Sequence, residues 1–135
     1  MKLILLILTL FICQSLFAPA TNFICLVKPD SIKPFKGILE AVGQLESKMD
    51  TLAYNPDEFA QGLFQIRPVR LNDFNQRTGK KYCRWDLWKP EVQNEIFLFY
   101  ACQFGPYDTD DMIRAWNGSG KMTFDYLKRV KKQLY

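Results

Sequence analysis

The chain has 135 residues, 48% of them apolar and 15% aromatic, with a formal charge of +4 and no histidine. That is enough for one domain with a real core, too short for two, and too apolar for a disordered chain. The lack of histidine excludes Ser–His and Cys–His nucleophilic sites and histidine-ligated metals, leaving carboxylates, cysteine, lysine, tyrosine and backbone groups for any chemistry.

The N-terminus reads as a targeting segment. Lys2 is a minimal positive region, Leu3 to Phe17 is nearly all apolar, and Ala18-Pro19-Ala20 supplies small residues where a signal peptidase cuts. The expectation is a secretory signal over residues 1–20, and a secreted or periplasmic protein in the cell envelope with no stable membrane insertion after cleavage. An uncleaved anchor is the alternative, weakened because the run is shorter than the ~20 residues that span a bilayer. Residues 21–34 read as a lead-in, with Pro29 and Asp30-Ser31 as helix-start signals, and residues 35–135 as the folded domain. Of the cysteines beyond the signal, Cys83 and Cys102 are the preferred disulfide pair in an oxidising compartment, with two unlinked thiols as the alternative. No Cys-x-x-Cys spacing exists, so zinc and thioredoxin-type chemistry have no support, and no metal or cofactor is implied.

The first helix is predicted from about Pro34 to Lys48, because Ile38, Val42, Leu45 and Met49 recur at i, i+4, i+7 and i+11. From Asp50 to Gln61 the periodicity breaks, with Asn55-Pro56-Asp57 as a turn. A short helix follows over Pro68 to Asn75 with Leu71 and Phe74 inward, then a loop at Thr78 to Lys81 and an irregular stretch holding Trp85 and Trp88. Pro90 opens the strongest helix, whose face is marked by Val92, Ile96, Phe99 and Gln103 and widened by Phe97 and Tyr100; Gly105-Pro106 stops it. Asp108, Asp110 and Asp111 open the next helix, which carries Met112, Ile113 and Trp116 and ends at Asn117 to Gly120. A last helix spans about Thr123 to Lys132, where Lys128, Arg129, Lys131 and Lys132 complement the negative end of its dipole. The fold class expected is mainly α, one helical domain.

One residue stands out chemically. Glu46 lies seven and four residues after Leu39 and Val42, so it borders the apolar face of the first helix near its end. A carboxyl group that is partly desolvated holds its proton toward neutral pH, which is what a general acid needs when a glycosidic oxygen must be protonated. Taken alone, Glu46 reads equally as a solvated or capping residue. Its neighbours change the reading.

Glu46-Ser47 is followed sixteen residues later by Gly62-Leu63-Phe64-Gln65-Ile66, then by Ala115-Trp116-Asn117-Gly118 and by Tyr126-x-x-x-Val130. This order and spacing resembles the soluble lytic transglycosylase family, lysozyme-like enzymes whose motifs read Glu-Ser, Gly-Leu-Met-Gln-Ile, Ala-Tyr-Asn-Ala-Gly and Tyr-Val-x-x-Val. Phe64 replaces the methionine and keeps an apolar wall, and Trp116 replaces the tyrosine, which removes one hydroxyl. The likeness covers roughly residues 35–132.

The resemblance implies a lysozyme-like domain acting on peptidoglycan glycan strands, with Glu46 catalytic and Ser47, Gly62, Leu63, Gln65, Trp116, Asn117 and Tyr126 contacting substrate. Gly62 permits close backbone approach, and Gln65 both donates to and accepts from sugar hydroxyls and acetamides. Trp116 at its helical spacing reads as core, with sugar stacking as the alternative. Asn117 is a helix cap, a sugar contact, or both. Tyr126 either approaches Glu46 or is half-buried at the surface. The resemblance implies one glutamate acting as acid then base, which needs no second carboxylate. Asp50, Asp57 and Glu58 fall between Glu46 and Gly62 and read as solvated loop acids; any of them placing a water would instead make a goose-type-like lysozyme. A non-catalytic wall-binding module is the further alternative. The mild positive charge suits an anionic wall polymer, and without an arginine-rich stripe interleaved with aromatics no nucleic-acid partner is indicated. The expected state is a monomer.

Overall fold

In the computed structural model, residues 34–105 and 107–135 are described. The signal, nearly all of the lead-in, Cys25 and Pro106 lie outside them. Five α-helices, one 3-10 helix and a two-stranded hairpin make up the described residues, a mainly α single domain as expected.

Helix α1 (Lys36–Ser47) buries Ile38, Leu39, Ala41, Val42 and Gly43. It ends at Lys48, whose φ of 58° is left-handed, with the Lys48 and Met49 amides donating back to the carbonyls of Gln44 and Gly43. Glu46 is thereby fixed one residue before the helix end. Gly43 allows a close approach: a Cβ there would come within 3.1 Å of the Leu63 side chain, so Leu63 nests directly on the α1 backbone.

Residues 50–61, expected to be irregular, contain a small hairpin of β1 (Tyr54–Asn55) and β2 (Ala60–Gln61), with Tyr54 opposite Gln61 and Asn55 opposite Ala60. Asn55 accepts the Asp57 amide at 3.0 Å, which builds the turn that the Asn-Pro-Asp sequence signals. Strands of two residues leave no alternation to read. The chain then closes a tight loop over Gly62–Gln65, held by paired amide–carbonyl bonds between Gln61 and Ile66 at 3.1 and 2.9 Å.

Helix α2 (Pro68–Thr78) has proline in its first turn, buries Leu71 and Phe74 and ends at Gly79 with φ of 72°. The stretch around the tryptophans is a 3-10 helix (Arg84–Trp88) with Leu87 buried. Helix α3 (Pro90–Ala101) starts where expected and buries Val92, Gln93, Ile96, Phe97, Leu98 and Ala101. Phe99, assigned to its inward face, is only partly buried, and Leu98 is inward instead. Helices α4 (Thr109–Asn117) and α5 (Met122–Leu134) follow, and α5 packs against both α1 and α4. The core joins them through stacked Phe64 and Phe97, with ring centroids 4.5 Å apart, and Trp116 tilted against Phe97 at 4.8 Å. Fully burying side chains of this size contributes about 2 to 3 kcal/mol each relative to exposure.

The pairing of Cys83 with Cys102 is not formed. Cys83 is an exposed free thiol at the start of the 3-10 helix, and Cys102 is half-buried just after α3. The Cys83 amide and thiol both donate to the Asp86 carboxylate, at 2.9 and 3.2 Å, so the residue is spent on capping. That bonding and Lys89 at 2.8 Å, the larger effect, hold Asp86 down at about 2.

Candidate active site

A cleft of about 400 Å³ opens beside the C-terminal end of α1. Glu46 lines it from the last turn of that helix. The hairpin turn contributes Glu58, the tight loop Phe64 and Gln65, and the start of α2 Arg67, Arg70 and Asp73. Tyr100 from α3 and Trp116, Asn117 and Gly118 from the end of α4 complete the walls.

Glu46 is half-buried, and the Tyr126 hydroxyl donates to its Oε1 at 2.6 Å. Burial is the largest influence and raises the carboxyl above the ordinary glutamate value; the Tyr126 bond, Arg67 and Arg129 oppose it, and Glu58 adds to it. The net direction is up. Tyr126 is buried, and burial and the Glu46 charge push its phenol well above the ordinary range, so it acts as a fixed donor. Of the two sequence readings of Tyr126, the approach to Glu46 is the one the structure contains. Tyr126→Phe is therefore expected to raise the Glu46 pKa further, since it removes the strongest of the opposing influences. The check is a ¹³C-detected titration of the Glu46 carboxyl, where a midpoint at or below the wild-type one would contradict the sign.

Gln65 sits in left-handed backbone at φ of 47°, a strained conformation for a side chain of this kind, in the loop that faces the cleft. Its Nε2 donates to the Gly62 carbonyl at 3.0 Å, which orients the amide. Its Oε1 accepts from no described residue, which leaves it open as an acceptor in a residue that lines the cleft. Asn117 ends α4 with its side chain lining the same cleft. Trp116 is 7% exposed: it is core, packed on Phe64, Phe97 and Tyr100, and it shows the cleft only an edge of wall. That packing, with the Arg70 guanidinium 4.2 Å from the ring centroid, favours the core reading over sugar stacking.

Three of the expected substrate contacts serve the loop instead. The Ser47 hydroxyl lies 2.9 Å from the Leu63 carbonyl and 3.2 Å from that of Gly43, tying the end of α1 to the Gly-Leu-Phe-Gln segment. Leu63 is buried on Gly43. Gly62, with φ of 78°, is pressed so closely under Gln93 that a Cβ would overlap its amide. None of the three lines the cleft.

Other residues that build the site carry no motif. Gln93 is 0% exposed; its Oε1 accepts the Leu63 amide, and its Nε2 donates to the carbonyls of Thr51 and Leu87 at 3.0 and 2.7 Å. One side chain thus joins the loop, the hairpin approach and the 3-10 helix. Arg70 lies over the rings of Tyr100 and Trp116, at 4.7 and 4.2 Å, and donates to the Trp116 carbonyl at 2.6 Å, fixing the turn that presents Asn117. The far carboxylates are engaged: Glu58 pairs with Arg67 at 3.1 Å, and Asp73 accepts from Tyr100 at 2.5 Å and pairs with Arg77. Of the three loop acids, only Glu58 shares the cleft with Glu46; Asp50 accepts the Leu52 amide and Asp57 is exposed. Among the described residues no cluster of carboxylates and cysteines could hold a metal ion.

Chemically, the cleft offers one carboxyl raised by burial, a phenol that donates to it, and the side-chain amides of Gln65 and Asn117. Comparison with protein-family models finds no match, and no curated protein or solved structure is significantly similar.

Proposed function

We propose that this protein is a peptidoglycan lytic transglycosylase with a lysozyme-like domain, cleaving the β-1,4 bond between N-acetylmuramic acid and N-acetylglucosamine. The observation that carries the reading is Glu46: a half-buried carboxyl raised by desolvation, held by Tyr126, in a cleft it lines with Gln65 and Asn117. Its likeness to that family rests on the four local motifs that hold these residues.

The protonated Glu46 gives its proton to the glycosidic oxygen as the C1–O bond breaks, and the N-acetylglucosamine leaves as an alcohol. The Glu46 carboxylate then takes the proton of the muramoyl C6 hydroxyl while O6 bonds to C1, which yields a 1,6-anhydro end and restores the acid. No water enters the balance. The nucleophile belongs to the substrate, so its orientation is supplied by binding. Tyr126 keeps the carboxyl in place through both proton transfers, and Gln65 and Asn117 fix the acetamide and hydroxyls. The raised pKa supports the first step, and the engagement of Glu58 and Asp73 in ion pairs supports a mechanism with one working carboxylate.

Hydrolysis is the second reading, because Glu58 shares the cleft with Glu46 and could activate a water. Glu58→Gln separates the two. Transglycosylation predicts a change of less than about tenfold in the rate of sacculus clearing, whereas loss of a working base costs about a hundredfold or more. Transglycosylation also predicts an alkaline limb of the pH–rate profile moved to lower pH, because Glu58 raises Glu46 and, when ionised, partly offsets Arg67.

A further inference from the structure

A second groove, of about 320 Å³, is formed by Tyr54 and Gln61 of the hairpin with Arg84, Trp85 and Trp88. It shares no residue with the cleft of Glu46. Trp85 is 78% exposed and Tyr54 46%. These exposed rings are clustered with Trp88 along one groove and not scattered singly over the surface. Tyr54 and Trp88 meet edge to face, with centroids 6.5 Å apart and planes at 64°, so they form a corner and not a flat patch. The polar groups sit at its edge. Arg84 donates from Nε to the Gln61 Oε1 at 3.0 Å and lies over the Phe59 ring, which holds the guanidinium in place while its terminal nitrogens remain. No carboxylate among the described residues pairs with it.

We propose that this groove is a second carbohydrate site, which takes an N-acetylated amino sugar of a glycan strand outside the catalytic cleft. A pyranose ring has an apolar face of C–H bonds and a rim of hydroxyl and acetamide groups. An aromatic corner bordered by a fixed, unpaired fork of N–H donors matches both parts at once. The same donors suit the carboxylates that peptidoglycan carries, and the chain's positive balance agrees. Continuity favours a polymer over a free sugar: the hairpin contributes Glu58 to the cleft and Tyr54 and Gln61 to the groove, so both sites border one short element. Two contacts on one strand raise its effective concentration at Glu46. The choice of an amino sugar rests on the reading of the cleft as a peptidoglycan site.

The chain's three tryptophans separate the two sites, since Trp85 and Trp88 line the groove and Trp116 lines the cleft. The test is titration of the ¹⁵N-labelled full chain with tri-N-acetylchitotriose, read at the indole N–H signals. Saturable shifts of the Trp85 and Trp88 signals are expected. In Trp85→Ala, whose exposed site spares the core, the midpoint read at Trp88 should weaken by about tenfold. Shifts at Trp116 alone would overturn the groove while leaving the cleft. Shifts at Trp85 and Trp88 alone would sustain the groove and count against the cleft. Silence at all three, or groove signals that move only with protein concentration, as in self-association, would overturn the proposal.

Discussion

Glu46→Gln is expected to lower glycan cleavage by about a thousandfold or more, the upper range for removing a general acid, while the fold becomes more stable at neutral pH. The amide nearly matches the carboxyl in shape and can still accept from Tyr126, but it carries no transferable proton. The stability effect follows from linkage. The folded-state pKa of Glu46 is raised above its unfolded value, so the wild-type carboxyl contributes its full stability below the unfolded pKa and loses it as pH rises through the folded pKa. Glutamine has no such loss. The gain in Glu46→Gln should therefore be present near pH 7 and vanish below about pH 4, under the ordinary glutamate value. Urea unfolding of both proteins at the two pH values, beside initial rates on sacculi, measures it. A variant that is inactive but less stable at pH 7 would mean that Glu46 serves the fold and is not a desolvated acid.

Gln93→Leu is expected to be the most damaging substitution away from Glu46, costing about 3 kcal/mol or more. Leucine fills much of the same space but leaves the Leu63 amide and the Thr51 and Leu87 carbonyls without the partner each has now. Buried groups left unsatisfied cost about 1 to 3 kcal/mol each. For a domain of this size, thermal unfolding should fall by roughly 10 °C or more. Activity should fall further than stability, because the loop that Gln93 anchors holds Gln65 in left-handed backbone. Calorimetry and rates measured well below the new midpoint separate the two effects. A drop of less than about 3 °C would show that water replaces the amide, and that the loop is held from elsewhere.

Glu46, Gln65, Asn117 and Tyr126 were legible in the sequence because their order and spacing carry a pattern and their chemistry suits one purpose. The helices were legible for a related reason: α1 and α4 bury residues that recur at helical spacing, and Pro68 and Pro90 mark the starts of α2 and α3. What the motif could not reveal is the division of labour inside it. Gly62 and Leu63 belong to the same string as Gln65, yet they brace the loop against Gln93 and Gly43, and Ser47 ties the end of α1 to it. Gln93 gives no signal at all. A polar residue on a helix reads as solvent-facing, and only the three groups gathered around it in space explain its burial. Arg70 reads as a surface charge for the same reason, since its ring contacts join residues thirty and forty-six positions apart. Cys83 and Cys102 invited a disulfide by number and compartment, but Cys83 is drawn instead to Asp86, three residues away. The hairpin was hidden by its two-residue strands.

The most direct test of a single working carboxylate is mass spectrometry of the muropeptides that the protein releases from purified sacculi. Products lighter by one water than the corresponding reducing sugars are the result predicted, because the C6 hydroxyl of the substrate replaces water as the nucleophile. Products with ordinary reducing ends would contradict it, and would assign Glu58 a part in activating water.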